Sequence, residues 1–202
     1  MRPPASKLVL DAGLVCTPEK EMLAQVFNFL LFQAAWLSAI LGTATHHPWA
    51  GCVPALAATG WQVWRSDGRW KAELALALAV AAAGLVTETG FIAVGLLTYA
   101  DNGQPDFFPP VPIVALWLAF GPLPHGSLAW LSGRPVVQSV LGAVSGPLSY
   151  FAGSRLGAAE FQSTDVWVII VIGLAWAAVL PLIFRLADLS KGWFLERPSR
   201  MA

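Results

Sequence analysis

Charged residues are scarce in this chain, and their scarcity excludes whole classes of protein. Asp, Glu, Lys and Arg make up 12% of the 202 residues, whereas hydrophobic residues make up 56%. A soluble domain usually has about 25% charged residues. The formal net charge is zero, so no basic excess would attract nucleic acid, and we expect no nucleic-acid partner. The composition predicts a membrane protein whose main partner is the lipid bilayer.

Residue types that build metal and catalytic centres are also rare. The chain has two cysteines and three histidines, and none of them form a pair at the i, i+4 spacing that would place two metal ligands on one helix face. The glycine-rich nucleotide-binding motifs and the nucleophile elbow of hydrolases are missing too. We therefore expect no metal and no cofactor. Whether the protein is an enzyme stays open on sequence alone.

What the chain does contain is six apolar runs, each suited to a membrane-spanning helix of about 20 residues. They predict an all-α membrane protein with six transmembrane helices. A cytoplasmic lead, expected to be disordered, occupies 1–21, the helical domain 22–187, and a short cytoplasmic tail 188–202. Met22, at the start of the first span, is an alternative translation start to Met1. The spans lie near 22–43, 48–64, 72 onwards, 112–131, 135–153 and 166–186.

The positions of the 12 Lys and Arg residues predict the orientation of these spans. All of them except Arg155 fall on the side that holds both termini. Cytoplasmic loops are enriched in Lys and Arg, so both termini are predicted to be cytoplasmic. Cys16 is then cytoplasmic and Cys52 lies near the opposite face, too far apart to pair. Trp favours the headgroup zone, and six tryptophans lie near predicted span ends: Trp49, Trp64, Trp70, Trp130, Trp167 and Trp193.

Two of the predicted spans are irregular. A Thr-Glu-Thr-Gly segment interrupts the third, so its helix ends either near Glu88 or near Tyr99. We favour the first alternative, in which 91–108 folds back over the outer surface. The fourth span is predicted to be broken or kinked by Pro122 and Pro124, because proline cannot donate the helical hydrogen bond. Such a break is tolerated at membrane depth only where it faces protein or water.

Polar side chains inside the spans fall into two layers when depth is counted at about 1.5 Å per residue. Intramembrane ionisable groups are functional candidates by default. A structural role competes in each layer, namely a Glu88–Arg155 ion pair in the outer layer and hydrogen bonds between helices in the inner one. The outer layer contains Glu88, Tyr150 and Arg155, and the inner layer contains Asn28, His125 and Ser127.

Three segments carry a family resemblance: NFLLFQ followed by Trp36, LWLAFGPLPHGSLAWL at 116–131, and GAVSGPLSYFAGSRLGA at 142–158. In this order they resemble a family of small bacterial inner-membrane proteins catalogued as domain of unknown function 2878. The resemblance covers roughly 26–187 and implies a multi-pass location in the inner membrane. The family pattern has Asp where this chain has Glu88, and His where it has Gly126, one residue after His125. Family members are encoded near fatty-acid-modifying enzymes, which implies a setting in lipid metabolism.

Three functions fit these observations. The first is a non-enzymatic accessory or carrier in lipid modification or envelope stress, with lipid-modifying enzymes as partners. The second is a membrane-embedded enzyme that acts on a lipid and uses Glu88 or His125 as acid or base. The third is a small transporter, which the broken fourth span suggests. We favour the first, because no catalytic motif is present and the resemblance implies lipid metabolism.

Overall fold

The computed structural model describes residues 18–66, 68–100, 105–163 and 166–195, which fold mainly into α-helices. Two short strands, β1 (Leu97–Tyr99) and β2 (Ala159–Phe161), pair antiparallel and add a small sheet to the predicted all-α architecture. Two 3₁₀ helices, Leu123–His125 and Ala129–Leu131, connect the fourth helix to the fifth. The helices are α1 (Pro18–Ala44), α2 (Pro48–Trp64), α3 (Trp70–Ala93), α4 (Val111–Phe120), α5 (Pro135–Arg155) and α6 (Val166–Leu195).

Three of these helices, α1, α3 and α6, are long and apolar enough to cross a membrane, by length and composition. Many large apolar side chains on the outward faces are exposed, among them Leu30, Val140 and Leu174. In water such faces would be an aggregation hazard, whereas hydrocarbon accepts them.

The helices form an arc that encloses a space. α1 packs on α2 and α4, α4 on α3, α3 on α6, and α6 on α5. The two ends of the arc are therefore α1 and α5, which form no extended contact over their described residues. The indole N–H of Trp36 on α1 donates to Ser149 Oγ on α5 at 3.0 Å. This hydrogen bond ties the ends of the arc together across the enclosed space.

Small residues on α5 allow α6 to approach closely, in agreement with the small-residue face that the sequence shows. A Cβ atom at Gly142 would overlap the backbone of Trp176, and a Cβ atom at Gly146 would overlap its indole ring. Glycine at both positions lets the two helix backbones come together, as is common between membrane helices.

The same kind of glycine turn ends α3 and α5 at one end of the bundle. Gly95 follows α3 with φ 70°, and Gly157 follows α5 with φ 83°. In each turn the N–H of the next residue bonds to a carbonyl of the last helical turn, which is the Schellman arrangement that favours glycine. Each turn leads into a strand, and the β1–β2 pairing sets Tyr99 opposite Ala159. This pairing fixes Tyr99 at the end of the enclosed space.

The third helix ends at a different residue from the one that the sequence predicts. α3 continues through Glu88 and ends at Ala93, so the favoured alternative placed the end a few residues too early. The other alternative, one long helix to Tyr99, is wrong, because Tyr99 lies in β1. The polar residues that suggested an end are accommodated inside the helix. Thr87 Oγ1 donates to the carbonyl of Ala83 at 2.9 Å, and Glu88 is buried between helices instead of facing lipid.

Other predicted boundaries shift by a few residues. α1 begins at Pro18 rather than near 22, and α6 continues to Leu195 rather than ending near 186. α4 ends at Phe120, just before the Gly-Pro pair, and a 3₁₀ helix follows. The lead segment 1–17, with Cys16, and the tail segment 196–202 lie outside the described residues, as does the side chain of Trp193.

Candidate functional site

Glu88 is a buried carboxyl group at which four elements meet. The residue is 2% exposed. The hydroxyl of Tyr99 on β1 donates to Oε2 at 2.7 Å, while the indole of Trp117 on α4 and the hydroxyl of Tyr150 on α5 donate to Oε1 at 2.9 and 2.6 Å. Buried polar groups need such partners. Burial, followed by the charge of Glu88, raises the pKa of Tyr99 well above its usual range, so its hydroxyl keeps the proton that it donates.

The ion pair predicted between Glu88 and Arg155 is wrong. Arg155 is exposed at the end of α5, and its guanidinium carbon lies 5.9 Å from the centre of the Phe151 ring. Depth counting placed the two side chains at one height but could not assign them to helix faces. Tyr150 is the α5 residue that faces Glu88. Five residues further on, a helix has turned by about 140° from that direction, so Arg155 points elsewhere.

Aromatic rings form the wall beside Glu88. Trp117 stacks on Trp176 of α6, with ring centres 5.0 Å apart and planes inclined by 22°. Phe120 meets both indoles edge-on. Gly84 on α3 makes room for this arrangement, because a Cβ atom there would overlap the ring of Trp117. The indole N–H that reaches Glu88 therefore depends on a glycine one helical turn away.

The arc of helices encloses a cavity of about 460 Å³, whose lining includes Glu88 near one end and Ser127 near the other. This volume lies within the range of small-molecule sites, about 300–1,000 Å³. Most of the lining is aliphatic or aromatic. Some lining residues at the two ends of the arc are also exposed at the surface, so the cavity opens sideways between α1 and α5. These residues are Phe29 and Gln33 on α1, and Ser145 and Leu148 on α5.

Asn28 joins three segments at the Ser127 end of the cavity. Its amide nitrogen donates to Gln62 Oε1 on α2 at 3.0 Å, and its Oδ1 accepts the backbone N–H of Ser127 at 3.0 Å. Gly126 must be small, because a Cβ atom there would collide with the Asn28 side chain. Ser127 Oγ lines the cavity and is buried without a hydrogen-bond partner among the described residues. Asn28 is therefore structural, and Ser127 offers the cavity a polar group.

His125 forms a buried pair with Glu73 of α3 and is not part of the cavity lining. Its Nδ1 lies 2.8 Å from Glu73 Oε1, and its Nε2 lies 3.2 Å from the carbonyl oxygen of Ala187 on α6. A carbonyl oxygen only accepts, so Nε2 carries a proton. A second proton must lie between Nδ1 and the carboxyl oxygen, because two acceptors would repel at this distance. The pair is then neutral overall, whichever atom holds that proton.

A known protein family matches the part of the chain that contains Glu73 and Glu88. The family model described as "Protein of unknown function (DUF2878)" matches residues 25–182, most of the chain. This chain belongs to the DUF2878 family. The resemblance noted from its sequence is thereby confirmed. No curated protein and no solved structure matches the chain. The matched range includes Glu73, Glu88, His125 and the whole cavity lining, so the site lies within the family's own domain.

The predicted site residues of this DUF2878 protein separate into distinct places. Glu88 and Tyr150 meet as the outer layer predicts, while Asn28 and Ser127 meet as the inner layer predicts. His125 bonds to Glu73 instead of joining the inner layer. The described residues contain no group of three His, Cys, Asp or Glu side chains that could hold a metal ion.

Sequence reasoning missed the aromatic partners of Glu88, although a signal for them existed. Tryptophan usually lies at the ends of membrane spans, and the exposed side chains of Trp49, Trp64 and Trp70 agree with that rule. Trp117 and Trp176 lie inside their predicted spans, so they needed another explanation. They stack on each other beside the carboxyl group.

Proposed function

We propose that this DUF2878 protein is a multi-pass bacterial inner-membrane protein that holds the apolar chain of a lipid in its cavity. In this proposal the chain crosses the membrane six times, with both termini in the cytoplasm. The distribution of Lys and Arg supports this orientation, because Arg155 alone would lie on the outer side. The fourth crossing is built from α4 and the 3₁₀ helices after it, and is interrupted at Pro122 and Pro124.

The sideways opening of the cavity is the observation that carries the proposal. Phe29 and Leu148 line the cavity and are also exposed, at 47% and 61%, on helices whose outer faces are apolar. An opening between two membrane helices faces acyl chains rather than water. A lipid chain can therefore enter without crossing the headgroup layer, whereas a water-soluble substrate would have to pass through hydrocarbon.

An accessory or carrier role in lipid modification follows from this geometry. The protein would present a bound chain to lipid-modifying enzymes, which we propose as its partners. A second candidate is an enzyme that acts on the bound lipid. It is favoured by one observation, the presence of the Glu88 carboxyl group in the cavity, where it could act as acid or base. His125 is less suited to that role, because both of its ring nitrogens are engaged.

A photo-cross-linking experiment tests whether a chain occupies the cavity. A phospholipid with a diazirine on one acyl chain is incubated with the purified protein, irradiated, and the labelled peptides are mapped by mass spectrometry. We expect labels on the inward-facing Phe32 and Leu141. Ser145→Phe should fill the cavity and remove these labels, whereas Val144→Phe, on the neighbouring outward-facing position, should leave them. Labels confined to outward-facing residues would refute the proposal.

The lipid profile of a deletion strain separates the candidate roles. Both lipid roles predict a changed profile, whereas a transporter of a non-lipid solute predicts an unchanged one. Restoring the gene with Ser145→Phe should fail to recover the profile, and restoring it with Val144→Phe should succeed. If variants at Glu88 and at His125 both recover the profile, the protein does not act as an enzyme through those groups.

A further inference from the structure

The acceptor positions of Glu88 are not all used. Oε1 receives two donors, Trp117 and Tyr150, while Oε2 receives one, Tyr99. Each carboxylate oxygen can accept about two hydrogen bonds. In the carboxylate form, Oε2 therefore has one acceptor position left, on a residue that belongs to the cavity lining. A ligand in the cavity can use this position only by donating a hydrogen bond.

The described part of the protein also provides no cationic partner for a carboxylate at Glu88. Its partners are two hydroxyls and an indole, all neutral, and no Lys, Arg or His of the described residues is paired with it. Arg155, the cation that the sequence suggested as its partner, lies against Phe151 and is exposed. Burial without an opposite charge favours the neutral form of a carboxyl group, whereas a cation that joins it favours the carboxylate. A cationic ligand would supply what the helices do not.

The surrounding rings suit a cation. Trp117, Trp176 and Tyr150 line the cavity beside the carboxyl group, although the two indoles cover one face of each other. Ammonium groups are attracted to the faces of aromatic rings, most strongly to tryptophan. Lipid tails are as apolar as the cavity walls, so moving a chain from bilayer to cavity gains little free energy by itself. Selectivity must therefore come from the polar end of the ligand.

We infer that the chain held in this cavity carries an ammonium group, which donates to Oε2 of Glu88 beside the Tyr99 hydroxyl. This inference rests on the proposed function and specifies the class of its ligand. A water molecule occupies about 30 Å³ of liquid volume, so the cavity of about 460 Å³ holds about fifteen groups of that size. A single-chain amine fits that space. A two-chain phospholipid would place only its headgroup or one chain inside.

Two matched photo-cross-linkers test the inference. They share one diazirine-bearing alkyl chain, which ends in a primary amine in one probe and in a hydroxyl in the other. On the purified wild-type protein we expect half-maximal labelling of Phe32 and Leu141 at about tenfold lower concentration of the amine, equivalent to about 1.4 kcal/mol. Equal concentrations for the two probes would overturn the inference and leave the proposed function standing. If neither probe labels the cavity, the proposed function fails as well.

Two variants with the same change in net charge locate the effect. Glu88→Gln should abolish the preference for the amine, whereas Glu160→Gln, an exposed acid on β2, should retain it. Equal loss in both would show that surface charge attracts the amine, and would overturn the inference. The wild-type comparison remains decisive even if Glu88→Gln folds poorly.

Competition shows where the ammonium group comes from. If lysophosphatidylethanolamine displaces the amine probe and lysophosphatidylglycerol does not, the group belongs to a phospholipid head. If neither lysophospholipid displaces the probe, the ligand is a free amine. Both results are compatible with ammonium recognition. Displacement by lysophosphatidylglycerol alone would overturn it, because that head has no cation.

Discussion

Replacing Gly84 with alanine tests whether a glycine really positions the indole that binds Glu88. The added Cβ atom would overlap the ring of Trp117, which is itself 4% exposed and stacked on Trp176, so the ring has little room to retreat. Overpacking of this kind costs about 1–3 kcal/mol. Alanine is better than glycine within a helix by about 0.5–1 kcal/mol, which offsets part of that cost.

The chain provides a matched control on the same helix. Gly90 has no atom within 4 Å of the position where its Cβ would lie, so Gly90→Ala gains the helix preference without a clash. We expect Gly84→Ala to be less stable than Gly90→Ala by about 1–3 kcal/mol. For a chain of this length, each 1 kcal/mol shifts the melting temperature by about 2–4 °C. The difference should therefore be about 2–12 °C.

The assay is thermal unfolding in detergent, followed by tryptophan fluorescence and by loss of the monodisperse peak in size-exclusion chromatography. Photo-cross-linking at the cavity provides a second measurement, since displacement of Trp117 should weaken labelling in Gly84→Ala and not in Gly90→Ala. If the two variants melt together and label equally, the close packing of the indole against α3 is refuted. The position of the Trp117 indole beside Glu88 would then need another explanation.

Three further predictions concern the remaining charged and reactive groups. Glu73→Gln and His125→Ala should each destabilise the protein by about 3–5 kcal/mol, because each leaves a buried partner unmatched. In thermal melts the double variant should lose less stability than the sum of the two single losses, and strict additivity would argue against coupling. Arg155→Ala should change the melting temperature little, because the side chain is exposed. A large fall in melting temperature would instead indicate that Arg155 pairs with Glu88. Membrane-impermeant thiol reagents applied to spheroplasts should leave Cys16 unmodified, and labelling of Cys16 from outside would overturn the proposed orientation. Cys52 is buried, so only its labelling, and not a failure to label it, is informative.

Depth along a helix could be predicted from the sequence more reliably than direction around it. Counting residues placed Glu88 level with Tyr150 and Asn28 level with Ser127, and the structure brings both pairs together. The same counting paired Glu88 with Arg155, because the height of a residue says nothing about the face that it occupies. Direction depends on which helices are neighbours, and a single sequence without strong amphipathic patterning does not determine that.

The pair formed by Glu73 and His125 shows a second limit. Glu73 lies in the first turn of α3, where an acid ordinarily faces solvent or headgroups and attracts no notice. Its burial follows from the connection after α4, where 3₁₀ helices carry His125 back against α3 and α6. The prolines indicate that the helix is irregular there, but the path of an irregular segment depends on contacts that are distant in sequence.

The two acids of α3 differ in a way that bears on function. They are fifteen residues apart, about 22 Å along the helix and about 60° around it, so they point to similar sides at different depths. Glu73 is neutralised within the protein by His125. Glu88 is equally buried, yet it is surrounded by neutral donors and has one acceptor position left. If Glu88 served only to hold helices together, a basic side chain could pair with it, as His125 pairs with Glu73. We therefore expect a ligand to bind at Glu88, which has no cationic partner in the described part of the chain, and not at Glu73, which has one.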